Sequence, residues 1–246
     1  MAKRAAREKQ PRKNTRRQQM EQLRSEMQTQ AASNESFFRK PRLEAKTEAQ
    51  GHYLLSMESK PLTFGLGPAG TGKTYVCTTL AAQKLAERQV SKIIVTRPAV
   101  EAGQGLGFLP GTIEEKFAPY FAPFKQVFEE YFGPSHLEYL IKRGTIEIAP
   151  LEYIRGLTFD NAFVILDEAQ NTTPAQMKLF LTRIGEYSTV VVNGDTDQKD
   201  IQGLSGLEDA TNRLDGMPSV GVVEFTEDDV VRSGIVREIL KRYRTT

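Results

Sequence analysis

The fold of this chain is decided by Gly67-Pro68-Ala69-Gly70-Thr71-Gly72-Lys73-Thr74, which has the spacing G-x-x-x-x-G-K-T. The stretch follows the apolar run Leu62–Leu66 and precedes a helical pattern. In that context the glycines let backbone N–H groups surround a phosphate, and the dipole of the following helix attracts the same anion. Lys73 is expected to reach the β- and γ-phosphates, and Thr74 to offer its hydroxyl to Mg²⁺. The sequence therefore predicts a nucleoside triphosphate site.

Composition narrows the class of protein. The chain has 246 residues, of which 39% are hydrophobic, enough for one large or two small domains. No apolar stretch approaches the roughly 20 residues that span a bilayer, and the basic N-terminus lacks the apolar segment of a signal peptide. We therefore expect neither secretion nor membrane insertion, but a reducing cytoplasm. The single cysteine, Cys77, is predicted to be a small core residue, and the two histidines indicate no metal cluster.

Charge is unevenly distributed along the chain. Residues 1–46 contain 13 Lys/Arg against 5 Asp/Glu, whereas the remainder contains 20 against 26. Such a basic, polar segment buries too little apolar surface to fold alone, so we expect a flexible or transiently helical arm over 1–46 and one domain over 47–246. The arm either binds nucleic-acid phosphates or acts as a solubilising tail.

The pattern of apolar runs predicts an α/β P-loop NTPase fold with a doubly wound, mainly parallel sheet. Continuous apolar strands separated by helices are typical of a parallel sheet covered on both faces. Ligands then bind beyond the carboxyl ends of the strands. The predicted strands are Leu62–Leu66, Lys92–Thr96, Thr145–Ala149, Ala162–Leu166, Thr189–Val192 and Val220–Phe225, and helical stretches include Thr74–Arg88, Pro174–Ile184 and Leu204–Leu214.

Two acids end the apolar run Phe163–Leu166, which is the pattern of a Walker B strand. Asp167 is predicted to hold Mg²⁺, often through water, and Glu168 to polarise the attacking water. Paired acids are also common at the start of helices, so this pattern indicates a Walker B strand only in combination with the phosphate loop. Together the two motifs predict hydrolysis rather than binding alone.

Polar groups follow the next strand as well. Asn193 is a candidate to hydrogen-bond the γ-phosphate or the lytic water, and Gln198 to report phosphate loss. The alternative is a polar turn, because Asn-Gly is a strong turn signal. Arg97 and Arg155 are candidates to pair with phosphate, with Glu101 or Asp160, or with nucleic acid, although a surface salt bridge is the default for a lone arginine.

Asp167-Glu168-Ala169-Gln170 and the later Gly-Asp-x-x-Gln resemble motifs II and III of superfamily 1 helicases. The resemblance implies that Gln50 reads adenine and makes ATP the preferred nucleotide. It also implies that Arg232, in Asp229-Val230-Val231-Arg232, acts on the γ-phosphate; the alternative is a structural ion pair with Asp228 or Asp229.

A narrower resemblance is to the PhoH family of ATPases, over about residues 47–243. It rests on Leu62–Thr74, Thr96–Gly103 with Leu106–Gly111, Arg155–Phe159 and Asp229–Arg232. It implies a RecA-like, helicase-type motor domain with RNA or DNA as partner. From its residues, we expect the Gly103–Gly111 loop and the Lys116–Lys125 region to face the polynucleotide. Because the chain carries one set of motor motifs, the rest of the site is expected from another subunit in a closed ring, most simply a hexamer in which Arg232 acts on a neighbour.

Three functions fit these motifs in different degrees: an ATP-driven nucleic-acid motor, a regulatory ATPase switch and a kinase. A kinase needs neither Asp-Glu-Ala-Gln nor Gly-Asp-x-x-Gln, so the motif set disfavours it. The sequence does not separate the motor from the switch.

Overall fold

The computed structural model describes residues 43–98, 113–154, 156, 158–231, 234–235 and 242; within residues 113–118 it describes the backbone only. Six α-helices with defined bounds and six strands lie in these residues. The helices are α1 (Glu48–Ser59), α2 (Lys73–Ala86), α3 (Ile113–Phe132), α4 (Pro134–Lys142), α5 (Pro174–Leu181) and α6 (Gly206–Leu214). The strands are β1 (Leu62–Leu66), β2 (Lys92–Arg97), β3 (Ile146–Pro150), β4 (Ala162–Leu166), β5 (Thr189–Gly194) and β6 (Val220–Glu224).

The six strands form one sheet in the order β3-β2-β4-β5-β1-β6, and every neighbouring pair is parallel. Helices α1 to α4 pack on one face, where Tyr53, Cys77 and Phe128 are fully buried. Helices α5 and α6 cover the other face through Met177, Phe180 and Leu207. The predicted doubly wound α/β sheet is thus confirmed.

Element ends differ slightly from the predicted ones. The third strand is Ile146–Pro150 rather than Thr145–Ala149, β2 and β5 run on to Arg97 and Gly194, and β6 stops at Glu224. Helix α6 begins at Gly206 rather than Leu204, because Ser205 caps it in a capping box with Glu208. Helices α2 and α5 end at Ala86 and Leu181, before the predicted Arg88 and Ile184. None of the described helices combines the length and apolar character that crossing a bilayer requires.

The packed domain reaches slightly further back than the expected boundary at residue 47. Leu43 packs against the core cluster under α1 to α4, and the Lys46 N–H donates to Gln50 Oε1 at 2.8 Å. Any test of the basic arm must therefore leave residues 43–46 in place.

Close packing between β1, β5 and α1 leaves room only for glycine at position 65. A Cβ there would lie 2.7 Å from Asn193 Oδ1 and 2.9 Å from the ring of Tyr53, and both of those side chains are fully buried. Gly51, inside α1, is different: a Cβ there meets only Ala45 Cβ, at 3.8 Å.

We expect Gly65→Ala to lower the free energy of unfolding by about 1–3 kcal/mol, since the added methyl overpacks a closed core. Gly51→Ala is the matched control and should raise it by about 0.5–1 kcal/mol, because alanine loses less backbone entropy in a helix. Urea unfolding followed by circular dichroism measures both. A Gly65→Ala protein as stable as the wild type would contradict this account of the core.

Candidate functional site: a nucleotide cleft at the carboxyl edge of the sheet

The phosphate loop, Gly67–Thr74, joins the carboxyl end of β1 to the amino end of α2. Its three glycines, Gly67, Gly70 and Gly72, have φ angles of +129°, +89° and +87°, a region that L side chains rarely adopt. A Cβ at Gly67 would also lie 2.1 Å from the carbonyl oxygen of Phe225. The loop thus has the wrapped backbone that the motif predicts.

Lys73 is folded back onto its own loop. Its Nζ donates to the carbonyl oxygens of Gly67 at 2.6 Å and Pro68 at 2.8 Å, and to Thr71 Oγ1 at 3.2 Å. Burial lowers the pKa of its ammonium group, and the nearby Asp195, the largest of several acidic contributions, works in the opposite direction. The protein itself therefore satisfies the lysine's donors in the place where phosphate oxygens are expected.

The two acids of the Walker B pattern follow β4 directly. The Asp167 side chain is 6% exposed, and both Nε and Nη2 of Arg97 donate to its Oδ2, at 3.1 and 2.6 Å. Glu168 is 47% exposed and has φ +54°, a left-handed conformation that is uncommon outside glycine. Strained backbone of this kind clusters at active sites.

Gln170 joins the acids to the end of β5, a role that the sequence pattern did not reveal. Its side chain is almost fully buried; Nε2 donates to Glu168 Oε2 at 2.7 Å, and Oε1 accepts from the Asp195 N–H at 3.1 Å. Nε2 also donates to the Gln198 carbonyl oxygen at 3.3 Å. One amide thus positions Glu168 and the loop after β5, and the only sequence signal for it was its place in Asp-Glu-Ala-Gln.

Lys73, both acids and Gln198 line one cleft of about 380 Å³. Strand order brings these side chains together. Strands β4, β5 and β1 are consecutive in the sheet and parallel, so their carboxyl ends lie side by side. Asp195, which the sequence analysis did not select, is 8% exposed and lines the cleft too. The lining groups named so far are Lys73, Thr74, Asp167, Glu168, Asp195 and Gln198, together with Ala69, Gly70 and Gly72.

Helix α3 closes the cleft with Pro123, Gln126, Val127 and Glu130. This wall overlaps the Lys116–Lys125 region that was expected to face a polynucleotide. A larger groove of about 720 Å³ runs between α5 and α6, but it is mainly apolar and lies at the amino ends of β1 and β6. The smaller cleft contains the phosphate loop and both acids, so it is the candidate nucleotide site.

Gln50 does not face an open base-binding position. Its side chain is 3% exposed, Nε2 donates to the Thr71 carbonyl oxygen at 2.8 Å, and Oε1 accepts from the Lys46 N–H. Both ends of the amide are bonded to backbone, so the structure differs from the adenine-reading expectation. Gln50 thus connects α1 to the phosphate loop. A second bond to the loop comes from Val231, whose N–H donates to the Gly70 carbonyl oxygen at 3.0 Å.

Asn193 is likewise placed inside the protein rather than at the phosphates. The side chain is fully buried; Oδ1 accepts from the Tyr53 hydroxyl at 2.5 Å, and Nδ2 donates to Cys77 Sγ at 3.4 Å. This differs from the predicted contact with the γ-phosphate, because the side chain points toward α1 and α2. Cys77 is a buried core residue as predicted, and burial raises the pKa of its thiol to about 12.

Three expected elements of the site lie outside the described residues: Arg232, Arg155 and the loop Gly103–Gly111. The acid Asp229, offered as an alternative partner for Arg232, accepts from the Thr226 N–H at 2.9 Å.

The donors at the cleft fit a hard divalent cation. Thr74 and Asp167 both line it and both offer oxygen, the ligand atom that Mg²⁺ prefers. Two protein oxygens are too few for an octahedral ion, and among the described residues no group of three His, Cys, Asp or Glu is placed to hold a metal. Phosphate oxygens and water would have to complete the shell, as is usual for Mg²⁺ bound with a nucleotide.

Comparison with known sequences decides the family. The pattern of the family described as PhoH-like protein matches residues 42–244. This chain belongs to the PhoH-like family. It is 49% identical over 203 residues to the PhoH-like protein of Bacillus subtilis, covering 82% of this chain and 64% of that protein. It is 51% identical over 203 residues to the Protein PhoH of Escherichia coli, covering 81% of this chain and 57% of that protein.

This PhoH-like chain therefore spans about three fifths of the length of those relatives. A similar fold occurs in the large terminase of a thermophilic bacteriophage, with a TM-score of 0.51 and 11% identity over 80% of this chain and 50% of the terminase. The similarity confirms the P-loop NTPase fold, and the family membership confirms the resemblance seen in the motifs.

We predict that Gln50→Leu weakens ATP and GTP binding alike, by about five- to tenfold, because it removes hydrogen bonds that shape the phosphate loop rather than contacts to a base. Gln83→Leu is the matched control, since Gln83 is a half-buried glutamine on α2 whose Nε2 donates to Glu87 Oε1 at 3.0 Å, and it does not line the cleft. Displacement of a fluorescent nucleotide measures the affinities. A loss confined to ATP would mean that Gln50 does read adenine.

Proposed function

We propose that this protein is an ATPase that binds a magnesium-complexed nucleoside triphosphate and hydrolyses the bond between its β- and γ-phosphates. The observation that carries the proposal is the convergence of Lys73, Asp167 and Glu168 on one cleft. Phosphate-binding lysine and two acids in the same cleft are the parts that phosphoryl transfer to water requires. A kinase would need in addition a site for a second substrate beside them.

Each residue has a distinct task in this proposal. The loop N–H groups and Lys73, turned away from its own carbonyl oxygens, bind the β- and γ-phosphates. Glu168, held by Gln170, orients water for attack on the γ-phosphorus and receives its proton. The bond to the bridging oxygen breaks, and ADP and phosphate leave. Bound Mg²⁺ would supply charge neutralisation at the phosphate oxygens, with Thr74 and Asp167 as its protein ligands.

The partner class that we propose is RNA or single-stranded nucleic acid. Support comes from the net positive charge of residues 1–46 and from the motifs that resemble those of superfamily 1 helicases, in which ATP turnover is coupled to a polynucleotide. The alternative is a regulatory switch whose ATP cycle alters partner binding without separating strands. ATP hydrolysis measured with and without single-stranded RNA, single-stranded DNA and duplexes discriminates, because a flat response removes nucleic acid as the partner.

Assembly as a closed ring, with six chains as the expected number and Arg232 reaching a neighbour's γ-phosphate, stays a prediction from the motifs. It accounts for a chain with one set of motor motifs. Arg232→Ala chains mixed with Lys73→Ala chains should regain activity at the interfaces that combine an intact loop with an intact arginine.

We predict that Lys73→Ala weakens triphosphate binding, whereas Glu168→Gln leaves binding nearly intact and lowers turnover by about 10²–10⁴-fold. Lysine contributes a charge to the bound ground state, while the carboxylate acts in the transition state. Fluorescent-nucleotide titration and phosphate release separate the two effects. Gln83→Leu serves again as a control. Hydrolysis near the wild-type rate by Glu168→Gln would refute the proposed role of this acid.

We also predict that deleting residues 1–42 leaves basal ATP hydrolysis largely unchanged but weakens nucleic-acid binding and flattens its salt dependence. The slope of log affinity against log salt should fall by roughly one for each lost phosphate contact. The deletion ends before Leu43 so that the core contact of that residue is kept. If the nucleic-acid affinity and its salt slope are both unaltered, the arm is a solubilising tail.

A further inference from the structure

Arg97 was expected to pair with phosphate, with Glu101 or Asp160, or with nucleic acid, and the structure gives it a different partner, Asp167. Arg97 is the last residue of β2, which pairs with β4 in a register that aligns Thr96 with Leu166. Asp167 directly follows the last residue of β4, so the two side chains leave adjacent strand ends on the same face of the sheet. The Arg97 side chain is 15% exposed and its guanidinium lies 5.6 Å from the centre of the Phe124 ring.

The guanidinium supplies the positive charge that the two acids face. Nη2 is 2.6 Å from Asp167 Oδ2 and 3.6 Å from Glu168 Oε1, and Nε donates to the same Asp167 oxygen. Lys73, which lines the cleft beside these acids, directs its hydrogen bonds to its own loop. Arg97 therefore neutralises Asp167 within the protein itself.

Asp167 is also the carboxylate that the proposed function assigns to the divalent cation. A cation on this side chain would come within a few ångströms of the guanidinium, and repulsion between like charges is strong in a partly buried site. Arg97 has a second acceptor within reach, Glu168 Oε1, so its side chain can leave Asp167 without losing all charge compensation. This geometry allows a divalent cation to replace the Arg97 guanidinium at Asp167.

We propose that Arg97 is a resident counter-ion that competes with the divalent cation for Asp167. A metal ion alone then binds poorly, and it binds well only together with a nucleotide, whose phosphates add ligands and negative charge. Arg97 acts through Asp167, so it is a positioning residue rather than a catalytic one. This inference rests on the proposed function, because that function makes Asp167 a metal ligand.

A purely structural role for Arg97 predicts the opposite result. If the guanidinium only fixed the orientation of Asp167, its removal would loosen the carboxylate and weaken metal binding. The sign of the change in metal affinity therefore separates competition from simple orientation.

The test is the affinity of the nucleotide-free protein for Mn²⁺, measured by electron paramagnetic resonance at pH 7.5. We expect Arg97→Gln and Arg97→Met to bind Mn²⁺ about tenfold more tightly than the wild type, a size typical of coupling between sites. Arg97→Lys, which keeps the charge, should stay closer to the wild type. Adding Asp167→Asn to Arg97→Gln should abolish the gain, which assigns it to this carboxylate.

Arg213→Gln is the matched control, because Arg213 is an exposed arginine that pairs with Asp209 on α6, away from the cleft. Arg97→Met keeps apolar contact with Phe124, and thermal melting of each variant verifies folding. Affinity for Mn²⁺ that is unchanged or reduced in the folded charge-removing variants overturns the competition. Failure of the wild type to bind a fluorescent nucleotide with Mg²⁺ is a separate result, and it would overturn the proposed function.

Discussion

The site depends on one constraint: parallel strands place all of their carboxyl ends at the same edge of the sheet. The order β2-β4-β5-β1 brings Arg97, the two acids, the Gly194–Gln198 turn and the phosphate loop together, although they are far apart in sequence. Two hydrogen bonds to its carbonyl oxygens then hold the phosphate loop: one from the Gln50 side chain on α1 and one from the Val231 backbone N–H. A cleft for a polyanion can form there because helix α2 begins at the loop and directs its N–H groups into it.

In this arrangement the charged groups of the cleft are satisfied by the protein itself. Lys73 bonds to loop carbonyl oxygens, Asp167 to Arg97, and Glu168 to Gln170. When a triphosphate binds, each of these charged groups either keeps its protein partner or exchanges it for the ligand. Partly buried charges are costly without partners, so a site built for a highly charged ligand needs such substitutes when the ligand is absent. This requirement explains why an amide and an arginine contact the acids that are expected to do the chemistry.

The roles predicted for Gln50 and Asn193 show what motifs alone do not specify. Motif position predicted that Gln50 and Asn193 contact the nucleotide. Gln50 bonds to the phosphate loop at Thr71, and Asn193 directly precedes Gly194, which lines the cleft. Their amides, however, face inward. A strand residue alternates between the two faces of the sheet, and Asn193 lies on the α1 and α2 face at the close approach to Gly65, where Tyr53 takes its oxygen. No pattern of residue types specifies which neighbour a buried amide meets.

The sequence by itself determined the fold class, the phosphate loop, the strand that carries Asp167 and Glu168, and the family. These follow from local rules, because glycine spacing, apolar runs and the residues that end them act over short stretches of chain. Only the tertiary structure decided that Gln170 bridges Glu168 and Asp195, that Gln50 ties α1 to the loop, and that Arg97 neutralises Asp167. Those contacts join residues whose distance depends on strand order and register, and strand order is set by the packing of the whole sheet rather than by any one segment.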